Sequence, residues 1–251
     1  MVTDYLRNLL QTSNYKGELK YIERDLISLL DKSNWDIDDT AILNRLKALR
    51  QNNITIEVSD FGAGSKRNNG TKRQISNIAK HASIQPKHGR LFAALINKFD
   101  IALAVELGTS FGIGTAYLAV AANKVITMEG CPNIASIALE TFSEIGAKNI
   151  ELQIGEFSNL LEKLQDLGQK PIFVYIDGNH AKAPTLAYFE YFKKKLPSNS
   201  ILVFDDIYWS KDMKAAWQAI QAEPFFTIDL YRVGVVLLNK RKEPLALRLR
   251  Y

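Results

Sequence analysis

Cysteine is almost missing from this chain: Cys131 is the only one in 251 residues. A lone thiol excludes an intrachain disulfide and a cysteine-based metal cluster, and it fits a reducing compartment. Long apolar runs are missing too, because no stretch approaches the roughly 18 to 20 residues that a membrane span requires. The first residues, Met1 to Arg7, carry charges where a secretory leader would be apolar, so the expectation is a cytoplasmic protein. Excess charge is small: 32 Lys and Arg stand against 27 Asp and Glu, a net +5. That bias favours an anionic small molecule and is modest for a dedicated nucleic-acid binder. There is no internal repeat and no low-complexity segment. What is present is ordinary for a globular protein, with 47% hydrophobic residues and therefore enough material for a large core.

The chain changes character near residue 98. Before it, Leu19, Ile22, Leu26, Leu29 and Leu30 fall at helical spacing, and Ile42, Leu43, Leu46 and Leu49 repeat the pattern. Residues 1–98 therefore read as a mainly helical extension or lid. A short β-like run, Ile54 to Val58, enters a segment from Asp60 to Gly70 rich in Gly, Asn and positive charge, and the basic loop continues to Arg73. It reads either as a solvated connector or as a lid that closes over a ligand. Pro86 then opens a helix running to Phe99, with Leu91, Phe92, Leu95 and Ile96 on one side.

From residue 99 to 251 strands alternate with helices. Strands are expected near 101–107, 124–128, 149–154, 171–176 and 200–205, which makes a parallel sheet. The runs Ile172 to Ile176 and Ile201 to Phe204 are continuously apolar, as strands covered on both faces must be. After a helix around 211–222, the segments Phe225–Tyr231 and Gly234–Leu238 follow too closely for a crossover helix and should pair as an antiparallel hairpin. The expected architecture is α/β: a Rossmann-like, doubly wound, seven-stranded sheet, mostly parallel, with a C-terminal antiparallel hairpin and the N-terminal helical extension.

The most telling stretch is Glu106-Leu107-Gly108-Thr109-Ser110-Phe111-Gly112, an apolar strand ending in an acid, followed by a glycine-rich turn and a helix. A second apolar strand ends in Glu129, 21 positions after Gly108, where a ribose-binding carboxylate belongs. The other polar candidates share one placement. Gly155 and Glu156 follow the third strand, Asp177 ends the fourth, and Asp205 and Asp206 end the fifth. Open α/β sheets bind ligands at these carboxyl ends, and an acid beside an apolar run must be paired or functional.

Taken together, residues from about 100 to 240 resemble the class I S-adenosylmethionine (SAM)-dependent methyltransferases. The resemblance implies that the segment from Glu106 through Gly108, Thr109 and Ser110 to Gly112 wraps the methionine part of SAM. It further implies that Glu129, with Gly130 beside it, takes the ribose hydroxyls and that Gly155 and Glu156 flank the adenine, with Asp177 also near the cofactor. Ser110 stands where the family often has its middle glycine, as in the catechol O-methyltransferase branch. A narrower likeness covers Asp177-Gly178-Asn179-His180 and Phe204-Asp205-Asp206, which are similar to metal-dependent O-methyltransferases of the catechol and, more closely, the macrolide-sugar type. That likeness implies Mg²⁺ or a similar divalent cation held by Asp177, Asp205 and Asp206, a hard oxygen set. It also implies that His180 takes the proton of a hydroxyl on a small molecule as the oxygen attacks the methyl group. A homodimer is compatible with this reading.

Duller roles compete with these. Asp206 caps the next helix or Asp205 binds a backbone amide in the plain reading, and Tyr188, Tyr191, Tyr208 and Trp209 are either core or the wall of a substrate pocket. His81 and His88 read as surface or structural residues. Gly108-Thr109-Ser110-Phe111-Gly112 also fits a hydrolase nucleophile elbow built on Ser110, but no histidine follows position 180 to complete the usual triad order. The glycines at 108, 112 and 114 do not have the dehydrogenase spacing. An RNA or other nucleic-acid methyltransferase would share the cofactor fold and use the basic loop, although Asp177-Gly178-Asn179-His180 lacks the two prolines and the aromatic residue usual for base-amino methylation.

Overall fold

The computed structural model describes residues 19–31, 35–59, 71–164 and 167–249. The Gly- and Asn-rich segment 60–70, read above as connector or lid, lies outside the described residues.

The N-terminal part contributes α1 (Tyr21–Ser28), α2 (Thr40–Gln51), the hairpin strands β1 (Thr55–Val58) and β2 (Thr71–Gln74), α3 (Ile75–His81) and α4 (Pro86–Lys98). Strand and helix then alternate: β3 (Leu103–Leu107), α5 (Ile113–Ala119), β4 (Lys124–Glu129), α6 (Pro132–Glu144), β5 (Ile150–Ile154), α7 (Phe157–Lys163), β6 (Ile172–Ile176), α8 (Lys182–Lys195) and β7 (Ile201–Phe204). The chain closes with α9 (Lys211–Gln221), β8 (Phe226–Asp229), β9 (Gly234–Leu237) and β10 (Leu245–Arg248).

The main sheet has eight strands in the order β10-β8-β9-β7-β6-β3-β4-β5, not the expected seven. All neighbours pair parallel except β9, which runs antiparallel to both β7 and β8. The hairpin is thus present, and its second strand inserts between its first strand and β7. The added strand, β10, lies parallel to β8 at the edge. Its Leu247 and Leu249 face inward while Arg248 faces out, and it follows a charged stretch at Lys240, Arg241, Lys242 and Glu243, so only three alternating leucines announce it.

Strand alternation sorts the core into two layers. Ala104, Val125, Phe173, Tyr175 and Val203 point to the face covered by α1, α2, α3, α4 and α5. Val105, Ile126, Val174, Leu202 and Val236 point to the other, covered by α7, α8 and α9 through Leu160, Phe189 and Trp217. The N-terminal helices are therefore bound into the first layer, and their apolar spacing reflects real burial: Leu26, Ile42, Leu46 and Leu49 are all in the core. A polar tie reinforces them. Buried Asp39, which precedes α2, accepts the Tyr117 hydroxyl from α5 and both Nε and Nη2 of Arg90 from α4.

Candidate active site

The carboxyl ends of β3, β4, β5, β6 and β7 open on one side of the sheet, where the strand order reverses between β3 and β6. A cavity of about 750 Å³ lies there. Its wall includes Gly108, Ser110, Glu129, Gly130, Gly155, Glu156, Asp177, His180 and Asp206, residues separated by as many as 98 positions in sequence. The β1–β2 hairpin and α3 close its far side with Val58, Ser59, Arg73, Ile78 and His81.

The turn after β3 is shaped by the protein itself. Gly108 has φ +106, and a Cβ there would come within 2.3 Å of the Asp177 carbonyl oxygen. Gly112, at φ +81, precedes the first turn of α5 and faces the ring of Phe142. Ser110 adopts φ +48, and its N–H donates to Glu129 Oε2 at 2.9 Å while Cys131 N–H donates to Oε1 at 2.9 Å. These two amides fix the carboxylate at the tip of β4 on the cavity wall.

Three of the residues expected at the cofactor do not reach that cavity. Glu106 is fully buried beneath the turn, where Thr127 Oγ1 donates to Oε2 at 2.6 Å and Thr115 donates to the same oxygen. Burial pushes its carboxyl up to about 7 against the pull of those two hydroxyls. Oε1 has no partner among the described residues. Thr109 points inward and shares a hydrogen bond with Thr127 at 2.6 Å, and Gly112 lies behind the turn. All three shape the cradle from below.

On the other half of the cavity, His180 Nε2 stands 3.6 Å from Asp177 Oδ1, with its ring 5.8 Å from that of Trp209. Tyr175, on β6, bridges Asp177 and Asp205 through its hydroxyl at 3.1 and 3.0 Å. Burial, followed by the nearby Asp205 and Asp206, drives the Asp177 carboxyl well above the usual carboxylate range. Burial and Asp205 push Asp206 up as well.

The stretch from residue 105 to residue 207, from β3 to just beyond β7, matches the family model for a methyltransferase domain. Over that stretch the chain is similar to methyltransferase domains. No curated protein matches the chain. In fold, the chain is similar to the O-methyltransferase TomG of Streptomyces achromogenes, involved in tomaymycin synthesis and solved with SAM, at 16% identity and a TM-score of 0.61 over 88% of this chain and 100% of that one. It is also similar to an O-methyltransferase of Bacillus cereus in complex with SAH, at 18% identity and a TM-score of 0.58 over 83% and 96%. A third likeness is the SAH-bound methyltransferase PaMTH1 of Podospora anserina, at 14% identity and a TM-score of 0.61 over 89% and 97%. The serine-hydrolase alternative for Ser110 falls with the domain match.

Among the described residues, the three clustered acids do not form the expected metal centre. Among the described residues no group of His, Cys, Asp and Glu is placed to hold an ion. The reason is Arg232, which the sequence reading overlooked. Its Nε and Nη2 grip Asp205 Oδ1 and Oδ2 at 3.1 and 3.2 Å, and Nε lies 3.3 Å from Asp206 Oδ1. With the Asp206 amide on Oδ1 at 2.8 Å and Tyr175 on Oδ2, Asp205 accepts four hydrogen bonds and has no lone pair left for a cation. No signal in the sequence announces Arg232: it is the register of β9 on β7, which pairs Gly234 with Phe204, that sets the turn of the hairpin beside Asp205.

Other departures are smaller. His81, read as surface or structural, borders the cavity, whereas His88 is buried in α4. Tyr188 and Trp209 line the cavity, Tyr191 donates to the Leu164 carbonyl at 3.2 Å, and Tyr208 pairs with Asp229. Helix α9 is capped by Ser210, whose Oγ accepts from Met213 N–H at 3.1 Å, and not by Asp206.

Proposed function

We propose that this chain is a SAM-dependent O-methyltransferase acting on a hydroxyl of a small molecule. The observation that carries the reading is a single cavity holding both the amide-fixed Glu129 and the His180–Asp177 pair. Glu129 suits the ribose of SAM, with Gly130, Gly155 and Glu156 along the same wall for the rest of the adenosyl group. The bound sulfonium supplies an activated methyl group; the protein's part is to position the acceptor and manage its proton. His180 accepts the hydroxyl proton through Nε2, and Asp177 stands by to stabilise the imidazolium. Trp209 and Tyr188 offer apolar walls for an acceptor's carbon skeleton, and Arg73 at the far side favours an anionic one. Because Asp205 is saturated, no step runs through a metal. The nucleic-acid alternative has no supporting observation among the described residues.

Calorimetric titration with SAM and with SAH tests the cofactor site directly. We expect binding of both, and a loss of about 10- to 100-fold for Glu129→Gln, the equivalent of a charged hydrogen bond of 1.5–3 kcal/mol. A library of hydroxyl compounds then tests the reaction: His180→Ala should retain SAH affinity and lose turnover. Wild-type protein indifferent to SAH at millimolar concentration would remove the reading.

A further inference from the structure

We propose that Arg232 is the resident cation of the Asp177–Asp205–Asp206 cluster, occupying by its guanidinium the place where a divalent ion would otherwise sit, so that the cluster works without metal. For methyl transfer this rests on the function proposed above. Three buried or half-buried acids at the ends of two adjacent strands need a compensating positive charge. The guanidinium provides it with the geometry that suits it best, a two-pronged grip on Asp205 and a third contact on Asp206. These carboxylates in turn hold Arg232 firmly in its charged form.

The backbone is built to deliver this side chain. Arg232 N–H donates to the Leu230 carbonyl at 2.9 Å, closing a three-residue turn in which Tyr231 is held at φ +69. Such turns are rare and strained, and strain of this kind persists where the surroundings enforce it. The enforcement is visible: the Arg232 carbonyl accepts from Ile207 N–H at 3.1 Å, and Tyr231 N–H donates to Asp229 Oδ1 at 2.9 Å. The turn is thereby pinned to the segment after β7 that carries Asp205 and Asp206. An arginine required only for surface charge would need none of this. Lysine could not replace it, since one ammonium cannot span both oxygens of Asp205 while meeting Asp206.

Mn²⁺ binding followed by electron paramagnetic resonance tests the assignment, with SAH titration run on the same samples. Wild-type protein should leave the free-ion signal intact at millimolar Mn²⁺ and bind SAH equally with EDTA or Mg²⁺. Arg232→Ala should quench the free-ion signal, and Asp206→Asn in that background should restore it; Arg232→Gln replaces the alanine variant if the latter does not fold. Stoichiometric Mn²⁺ binding by the wild type, abolished by Asp206→Asn, would overturn the proposal. A folded Arg232 variant that ignores Mn²⁺ would overturn it equally. Loss of SAH binding in the wild type would instead strike the functional reading, leaving the Mn²⁺ measurements to judge Arg232 on their own.

Discussion

Gly108 and Gly146 both adopt positive φ, at +106 and +71, yet only one of them is confined. A Cβ at Gly146 meets nothing within 4 Å, whereas one at Gly108 drives into the Asp177 carbonyl. Comparing the two alanine variants separates backbone strain from steric collision. Gly146→Ala should cost about 1 kcal/mol, the usual penalty for a non-glycine residue in this region, and leave SAH affinity alone. Gly108→Ala should cost about 1–3 kcal/mol more, because the backbone of Asp177 must move. That movement displaces the segment leading to His180, so SAH affinity and turnover should both fall. Thermal unfolding and calorimetry on the two variants check this. Equal losses in both would mean that the turn tolerates the contact. The glycine motif, read first as room for a cofactor, is in this chain also room for the neighbouring strand's backbone.

At the scale of elements, the alternation of strand and helix was legible because each strand is a run of apolar residues bounded by polar turns. The predicted strand near 171–176 is β6 at Ile172–Ile176, and the helix from Pro86 is α4 at Pro86–Lys98. Strand β10 escaped because its signal is three alternating leucines beside charges. The tips of β3, β4, β6 and β7 could be aligned from sequence, since parallel strands place their carboxyl ends together. What could not be read was the ownership of each acid's lone pairs. Arg232 is 27 positions from Asp205, and only the register of β9 against β7 brings them together. The helix contacts carry a similar hidden constraint. Gly89 in α4 lies so close to α5 that a Cβ would sit 2.2 Å from the Tyr117 ring, and that ring is anchored by its hydroxyl on Asp39. Gly89→Ala should therefore destabilise by about 1–3 kcal/mol despite alanine's better helix propensity. Denaturant titration decides it, and a stabilised variant would show that α4 and α5 can part without loss.

Across the whole molecule, two buried groups on the same layer of the core tilt stability in opposite directions with pH. Burial raises Glu106 from 4.5 to about 7. Between those values the folded state binds more protons than the unfolded one, so this group's contribution declines as pH rises from 4.5 to 7 and stays lost above. Burial lowers His88 from 6.5 to about 4. The folded state then binds fewer protons than the unfolded one, and stability falls as pH drops from 6.5 to 4. Each shift corresponds to about 3 kcal/mol across its window, so over the shared range the two slopes largely cancel. Single substitutions should expose them. Relative to wild type, Glu106→Gln should gain stability steadily from pH 4.5 to 7, while His88→Gln should gain it from pH 6.5 down to 4. Taking differences from wild type removes the contributions of Asp177, Asp206 and the other acids, which are common to all three proteins. Unfolding free energies across pH 4 to 8 provide the measurement. Parallel profiles for wild type and both variants would show that neither group changes its protonation on folding, and that the carboxylate beneath the glycine turn stays ionised in the core.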